Sequence, residues 1–186
     1  MESTFTASVP RLQTERLILR EYRREDFELF ADHLADAESS AFLGSADRAT
    51  AWRIFASHAG LWLLHGAGWW TVENKKTGEV VGCVGAFFRE QATVMELGWN
   101  TYRPFWGQGM ANEAAAAVLQ YAFELRGEPK VRALITTGNE SSRRVAERLG
   151  MVYEMETELH GKAIHSYMRE RSWVDYHVPP QASESF

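Results

Sequence analysis

Read as apolar and polar positions, the chain divides into short alternating runs and longer runs with helical spacing. "TERLILREY" (residues 14–22) alternates as a strand, and in "REDFELFADHLAD" Phe27, Phe30 and Leu34 recur at the spacing of one helical face. A second helix follows, with Trp52, Phe55, Ala59, Trp62 and Leu63 expected on a shared face and Gly66 and Gly68 closing it. "WWTVEN", the turn "KKTGE" and "VVGCVGAFF" read as two strands joined at hairpin length, and "TVMELGWN" as a third strand of the same meander. From Met110 onward, Ala114, Val118, Tyr121, Ala122 and Leu125 mark a helix that Arg126, Gly127 and Pro129 stop. "VRALITT" is a further strand, and "NESSRRVAERLG" a short helix with Val145, Ala146 and Leu149 inward and Gly150 as its stop. "MVYEMETEL" and "AIHSYMRER" are two strands around "HGK", and a polar tail over about residues 175–186 ends the chain. With neither repeat nor linker, the pattern predicts one domain over residues 1–186, an α+β (mixed α/β) layer structure.

The stretch "RPFWGQGMANEAAAAVLQYAFE" places Gly107, Gly109 and Ala111 at the entry to the third helix. The first turn of a helix leaves backbone N–H groups without intrahelical partners, and the macrodipole adds about half a positive charge there. Residues this small let an anion reach those amides, although the same glycines could simply turn a corner. A Walker loop is excluded, because Met110, Ala111 and Asn112 stand where Lys and Ser or Thr would follow. A dinucleotide fingerprint fits poorly, with Asn112 at the third glycine place and a meander in front of it.

Composition narrows the setting. The 25 acidic against 20 basic residues argue against electrostatically driven nucleic-acid binding. One cysteine, Cys83, rules out an intrachain disulfide, and no apolar leader follows a basic start, so a cytoplasmic protein is expected. No apolar run reaches the ~20 residues of a membrane helix. The six histidines lack carboxylate or cysteine partners at a recognised ligand spacing, so no metal is expected.

The order of elements, together with "ELGWNTYRPFWGQGMANEA" and "NESSRRVAERLGM", resembles the GNAT N-acetyltransferases. Within them the likeness is to the branch of ribosomal-protein-alanine acetyltransferases (RimJ/RimL-like), and it runs from "TERLILREY" to "HSYMRERSW". The resemblance implies a central, mostly antiparallel sheet of about seven strands flanked by about four helices, split between strands four and five, with acetyl-CoA in the split. Residues Trp106, Gly107, Gln108, Gly109, Met110 and Ala111 match the superfamily's pyrophosphate loop, with Asn112 next to it. Trp106 departs from the Gln or Arg usual at the first place. The backbone of Gly98, Trp99, Asn100 and Thr101 would hold the pantetheine arm, exposed by a bulge that the family has in this strand.

For the chemistry, the same resemblance makes Glu96 the general base, acting through water, and a solvated strand face is the other reading. Asn139 is explained as the N-cap of its helix, and the resemblance adds a pantetheine contact. Ser142 matches a serine thought to assist the departing sulfur; the tyrosine that many relatives use instead is absent, since Ala146 occupies its place. Trp69, Trp70, Phe87 and Phe88 could line an acceptor groove or pack the core, and Glu154 could meet the substrate amine or belong to a solvated stripe with Glu156 and Glu158. The implied function is acetyl-CoA-dependent transfer to a primary amine, either a protein N-terminus or a small molecule, by direct transfer in a ternary complex. A monomer or homodimer with no nucleic-acid or membrane partner is expected. The rival reading is a CoA-binding sensor or interaction module without catalysis.

Overall fold

The computed structural model describes residues 8–172, and the polar tail expected at 175–186 lies outside them. The strands are β1 (Leu12–Gln13), β2 (Leu17–Arg20), β3 (Gly68–Asn74), β4 (Val80–Phe87), β5 (Met95–Thr101), β6 (Lys130–Thr136), β7 (Val152–Leu159) and β8 (Lys162–Glu170). The helices are α1 (Phe27–Ala35), α2 (Arg48–His65), α3 (Met110–Gln120) and α4 (Glu140–Arg148). The strands form one sheet of eight in the order β1-β2-β3-β4-β5-β6-β8-β7. Every neighbouring pair is antiparallel except β5 with β6. The mixed α/β expectation holds. The strand beyond the expected seven is β1, whose two residues pair Leu12 with Leu19 and Gln13 with Ile18, too short a run to show a period.

Alternation along the strands feeds two cores, one on each face of the sheet. Trp70, Val72, Val84, Ala86, Met95 and Leu97 pack on one face against Ala114, Val118 and Phe123 from α3 and its extension. On the other face Trp69, Cys83 and Phe87 meet Phe27, Phe30 and Leu34 of α1, as their spacing predicts, and Phe55 of α2.

Two helices depart from the expected faces. In α2 the buried residues are Ala51, Phe55 and Trp62, while Trp52, Ala59 and Leu63 are exposed. His58 completes that inward stripe, one turn from Phe55 and Trp62, and a polar residue at an inward place hid the true face. After Gln120 the third helix continues as a π-turn over Tyr121–Leu125. The i→i+5 winding shifts the following positions off the α-helical register, so Tyr121 and Ala122 stay buried and Leu125 emerges.

A buried ion pair fastens α1 to the sheet. Arg20 on β2 donates to both carboxylate oxygens of Asp26 at 2.8 and 2.9 Å, and the Thr71 hydroxyl on β3 donates to the same carboxylate at 2.9 Å. Arg20 and Asp26 are each 5% exposed. Burial pushes the Asp26 carboxyl up. The hydrogen bonds from Arg20, from the Arg23 amide and from Thr71 outweigh it and leave the group below its ordinary value. We expect Asp26→Ala to lower the urea-derived stability by about 1.5–3 kcal/mol at neutral pH, because the buried guanidinium loses its two-point partner and keeps only Glu73, at 2.8 Å, as counter-ion. A carboxylate with a lowered folded-state pKa stabilises above its unfolded value, so the gap between mutant and parent should narrow as the pH falls below about 4.

Candidate active site

The parallel ladder between β5 and β6 joins only Met95 to Val131 and Glu96 to Arg132. Beyond that point β5 keeps its register with β4 as far as Gly82 opposite Thr101, while β6 continues along β8. A cleft of about 1000 Å³ opens where the two strands part, lined on one side by Gly98, Trp99, Asn100 and Thr101 and on the other by Ala133–Thr136 and the start of α4. The split therefore falls between the fourth and fifth strands as counted from the sequence. The bulge expected in this strand is not present: β5 runs in continuous register with β4, and its backbone faces the cleft because β6 diverges. Gly98 serves packing as well, since a Cβ there would come within 2.6 Å of the Trp69 ring, which also lies over Gly85.

The N-terminus of α3 opens into the same cleft. Gly107 and Gly109 take left-handed φ values of 73° and 76°, where a side chain is strained, and a Cβ on Gly107 would point into open space. Gly109 is the N-cap and supplies no side-chain cap, so the first amides of the helix keep their donors. Gly107, Gly109, Met110, Ala111 and Asn112 line the cleft, and the Asn112 Oδ1 is buried without a partner among the described residues. Gln108 does not line it, as its side chain donates back to the Pro104 carbonyl. Trp106 lines the cleft but braces the loop, its indole Nε1 donating to the Thr101 carbonyl at 2.6 Å.

Residues from the β1–β2 turn, unsuspected from the sequence, hold this loop. The Arg16 guanidinium donates to the Gln108 carbonyl at 2.9 Å and pairs with Glu113 of α3 at 2.6 Å. Thr14 and the Arg16 amide donate to the same Glu113 carboxylate. Burial pushes Glu113 up, but these bonds bring it below its ordinary value. Arg16 thus neutralises the one acid in the first turn of α3 and leaves the positive end of the helix free for an external anion.

Across the cleft, Asn139 caps α4 as expected. Its Oδ1 accepts from the Ser142 amide at 3.1 Å and from the Ser141 hydroxyl at 2.8 Å. Ser142 lines the cleft, and its hydroxyl makes no hydrogen bond among the described residues. Ala146 is fully buried in the core.

At the other end of the cleft, where the sheet begins to split, Glu96 accepts two hydrogen bonds from Arg89, both of 2.7 Å, and is 7% exposed. Trp69 and Phe87 stack at 5.2 Å and are at once core residues and cleft wall. Glu154 does not line the cleft: it accepts from the Ser166 hydroxyl at 3.0 Å and pairs with Arg132 at 3.4 Å. The segment between α1 and α2 crosses the mouth. The Phe42 carbonyl accepts from Thr136 and from Lys162, both at 3.2 Å, and Arg103 pairs with Asp36 and Glu38. Burial raises the Cys83 thiol to about 11, which keeps it protonated and unreactive as a nucleophile. Among the described residues no three His, Cys, Asp or Glu side chains gather as a metal site, and no helix is long and apolar enough to cross a membrane.

Residues 16–152 match the family described as acetyltransferase (GNAT) domain. The chain belongs to the GNAT acetyltransferase family. The uncharacterized protein YkkB of Bacillus subtilis (strain 168) is 43% identical over 108 residues, covering 57% of this chain and 63% of that relative's length. Among solved structures, an acetyltransferase from Agrobacterium tumefaciens str. C58 superposes with a TM-score of 0.81 at 29% identity, over 92% of this chain and 100% of the other. The ribosomal-protein-S5-alanine acetyltransferase of Vibrio fischeri shares the fold, with a TM-score of 0.71 at 16% identity over 87% of this chain and 97% of its own.

Acetyl-CoA use is general to the GNAT fold, and the residues of this chain fit it. Uncapped amides, two side-chain-free turns and an orphaned acceptor at Asn112 lie at one end of the cleft, where a pyrophosphate and its linker would rest. We expect Gly109→Asp to weaken acetyl-CoA binding by at least about 100-fold in calorimetry, since it strains the left-handed turn and its carboxylate, on a Cβ 3.5 Å from the Arg16 guanidinium, draws on the cation that holds the loop and adds negative charge at the helix start. The far-ultraviolet circular dichroism should stay that of the parent.

Proposed function

We propose that this chain is an acetyl-CoA-dependent N-acetyltransferase of the RimJ/RimL-like branch that acetylates a primary amine by direct transfer in a ternary complex. The acceptor is a protein N-terminal α-amine or a small amine. The observation that carries the reading is the convergence of three features on one cleft: the bare N-terminus of α3, the unpaired edge of β5, and the Ser142 hydroxyl. Acetyl-CoA supplies the activated thioester. The Met110–Asn112 amides and Asn139 hold its anionic and polar parts, and the backbone of Gly98–Thr101 extends alongside its arm as a missing strand would.

During transfer the amine nitrogen bonds to the thioester carbon, the carbon–sulfur bond breaks, and the nitrogen loses one proton. Glu96 takes that proton through water. Arg89 occupies two of the roughly four acceptor positions of its carboxylate, leaving the others for a water molecule. An α-amine needs little help, because at neutral pH its free-base form costs only about 1 kcal/mol, against about 4 kcal/mol for a lysine-type amine. Ser142 donates a hydrogen bond to the departing sulfur. A thiol of pKa near 8.5 leaves without full protonation, so a hydroxyl suffices in a chain that lacks the tyrosine at position 146.

Thiol release measured with acetyl-CoA against a panel of amines, peptides and ribosomal proteins tests the proposal, and binding without release on every acceptor would leave only a CoA-binding module. Glu96→Gln should lower kcat/KM most at low pH and recover part of the loss as rising pH deprotonates the amine unaided; a pH-independent loss would remove Glu96 as the base. Ser142→Ala should slow turnover about 5- to 150-fold, the equivalent of about 1–3 kcal/mol, with the Kd for acetyl-CoA nearly unchanged. Full activity in that variant at saturating acetyl-CoA would make Ser142 an ordinary helix residue.

A further inference from the structure

His58 stands on the inward stripe of α2 and reaches the wall of the cleft at its apolar end. Its ring lies parallel to the Trp69 indole, 4.3 Å between centroids and 6° between planes, and Trp69 rests in turn on Gly85 and Gly98. Phe30 meets it edge-on at 5.8 Å. The imidazole plane is therefore fixed from two sides. Its Nδ1 lies 3.1 Å from the Tyr22 hydroxyl, whereas its Nε2 has no partner among the described residues.

The hydrogen bonds behind His58 determine which nitrogen carries the proton. The Tyr22 hydroxyl also neighbours the buried Cys83 thiol, to which Asn100 of β5 donates from Nδ2 at 3.8 Å. A phenol is the strongest neutral donor in this chain and an imidazole nitrogen the strongest acceptor, while a thiol is weak in both roles. In the arrangement with the best matches, Asn100 donates to the sulfur, and the Tyr22 hydroxyl gives its single proton to Nδ1, the stronger acceptor of its two neighbours. Burial brings the imidazole down to about 3, with no charged neighbour among the causes, so the ring stays neutral with its single proton on Nε2.

That puts an N–H donor of fixed direction beside Phe30, Leu34, Ile54, Trp69 and Phe87; the other imidazole of the wall, His33, packs against Tyr102 with neither ring nitrogen paired among the described residues and has no hydrogen bond to fix its tautomer. Resting on the acetyl-transfer reading above, we infer that His58 is a specificity-determining residue of the acceptor pocket. Its Nε2–H binds a neutral carbonyl oxygen on an amine with an apolar or aromatic body. A carboxylate is the poorer match. Burying it beside a neutral ring would cost its hydration, and the guanidinium at this end, Arg89, is already matched by Glu96. The acceptor class is the apolar amino amide, ahead of the oxygen-free amine and of the free amino acid.

Thiol release should be measured with phenylalaninamide, phenethylamine and phenylalanine, and with leucinamide, isoamylamine and leucine, using the parent, His58→Phe and His58→Gln. In the parent kcat/KM should favour each amide over its oxygen-free partner by about tenfold, the scale of one buried hydrogen bond. His58→Phe keeps the stack but should bring the ratio to within about twofold, while His58→Gln, which retains an N–H, should keep most of it. An unchanged ratio in His58→Phe, or a preference for the free acid, would overturn the inference and leave acetyl transfer standing. Absence of release with every amine would instead sink the transfer reading, and the inference with it. Independently of any acceptor, long-range proton–nitrogen NMR of the parent should show His58 protonated at Nε2 with Nδ1 bare, and a proton on Nδ1 would overturn the assignment.

Discussion

Everything in the cleft depends on how little of β5 is paired with β6. Two residues of parallel ladder hold the strands together, and past Glu96 the edge of β5 has no strand beside it. Backbone donors and acceptors left unpaired inside a protein carry a penalty unless something polar meets them. In the acetyl-CoA reading proposed above, the extended, amide-bearing arm of the cofactor meets it. The split survives because each strand is secured on its other edge, β5 by β4 and β6 by β8, and because helices pack beneath both.

The charges around the cleft are arranged so that few of them act alone. Arg16 covers Glu113 and Arg89 covers Glu96, each as a close pair, and away from the cleft Arg20 covers both Asp26 and Glu73. The dipole and bare amides at the start of α3 make one anion-seeking end from backbone, and Arg144 and Arg148 of α4 line the cleft without an ion pair among the described residues. The acidic composition offers no general attraction for polyanions. The opposite end is aromatic. The Trp69 ring lies on two glycines of neighbouring strands, which ties the acceptor wall to the strand whose backbone faces the cleft.

The sequence by itself determined the element order, the mixed architecture and the bare helix start, because these are local: alternation, helical spacing and glycines at a helix entry are read from adjacent residues. It also determined the N-cap at Asn139 and the missing hydroxyl at Ala146. It misjudged α2, where the inward place of His58 broke the apolar pattern, and the end of the third helix, where a π-turn changed the period that the pattern assumes. Only the tertiary structure decided that Arg16, 92 positions before Gln108, clamps the loop, that Arg89 engages Glu96, and that Glu154 turns to Ser166 and Arg132 away from the cleft. It alone brought the Tyr22 hydroxyl against His58 Nδ1 and Asn100 against the Cys83 sulfur. The reason is physical. Periodicity records which face a residue presents, whereas partnership between side chains on different elements is set by strand order, register and the angle at which a helix crosses the sheet, none of which has a local signature.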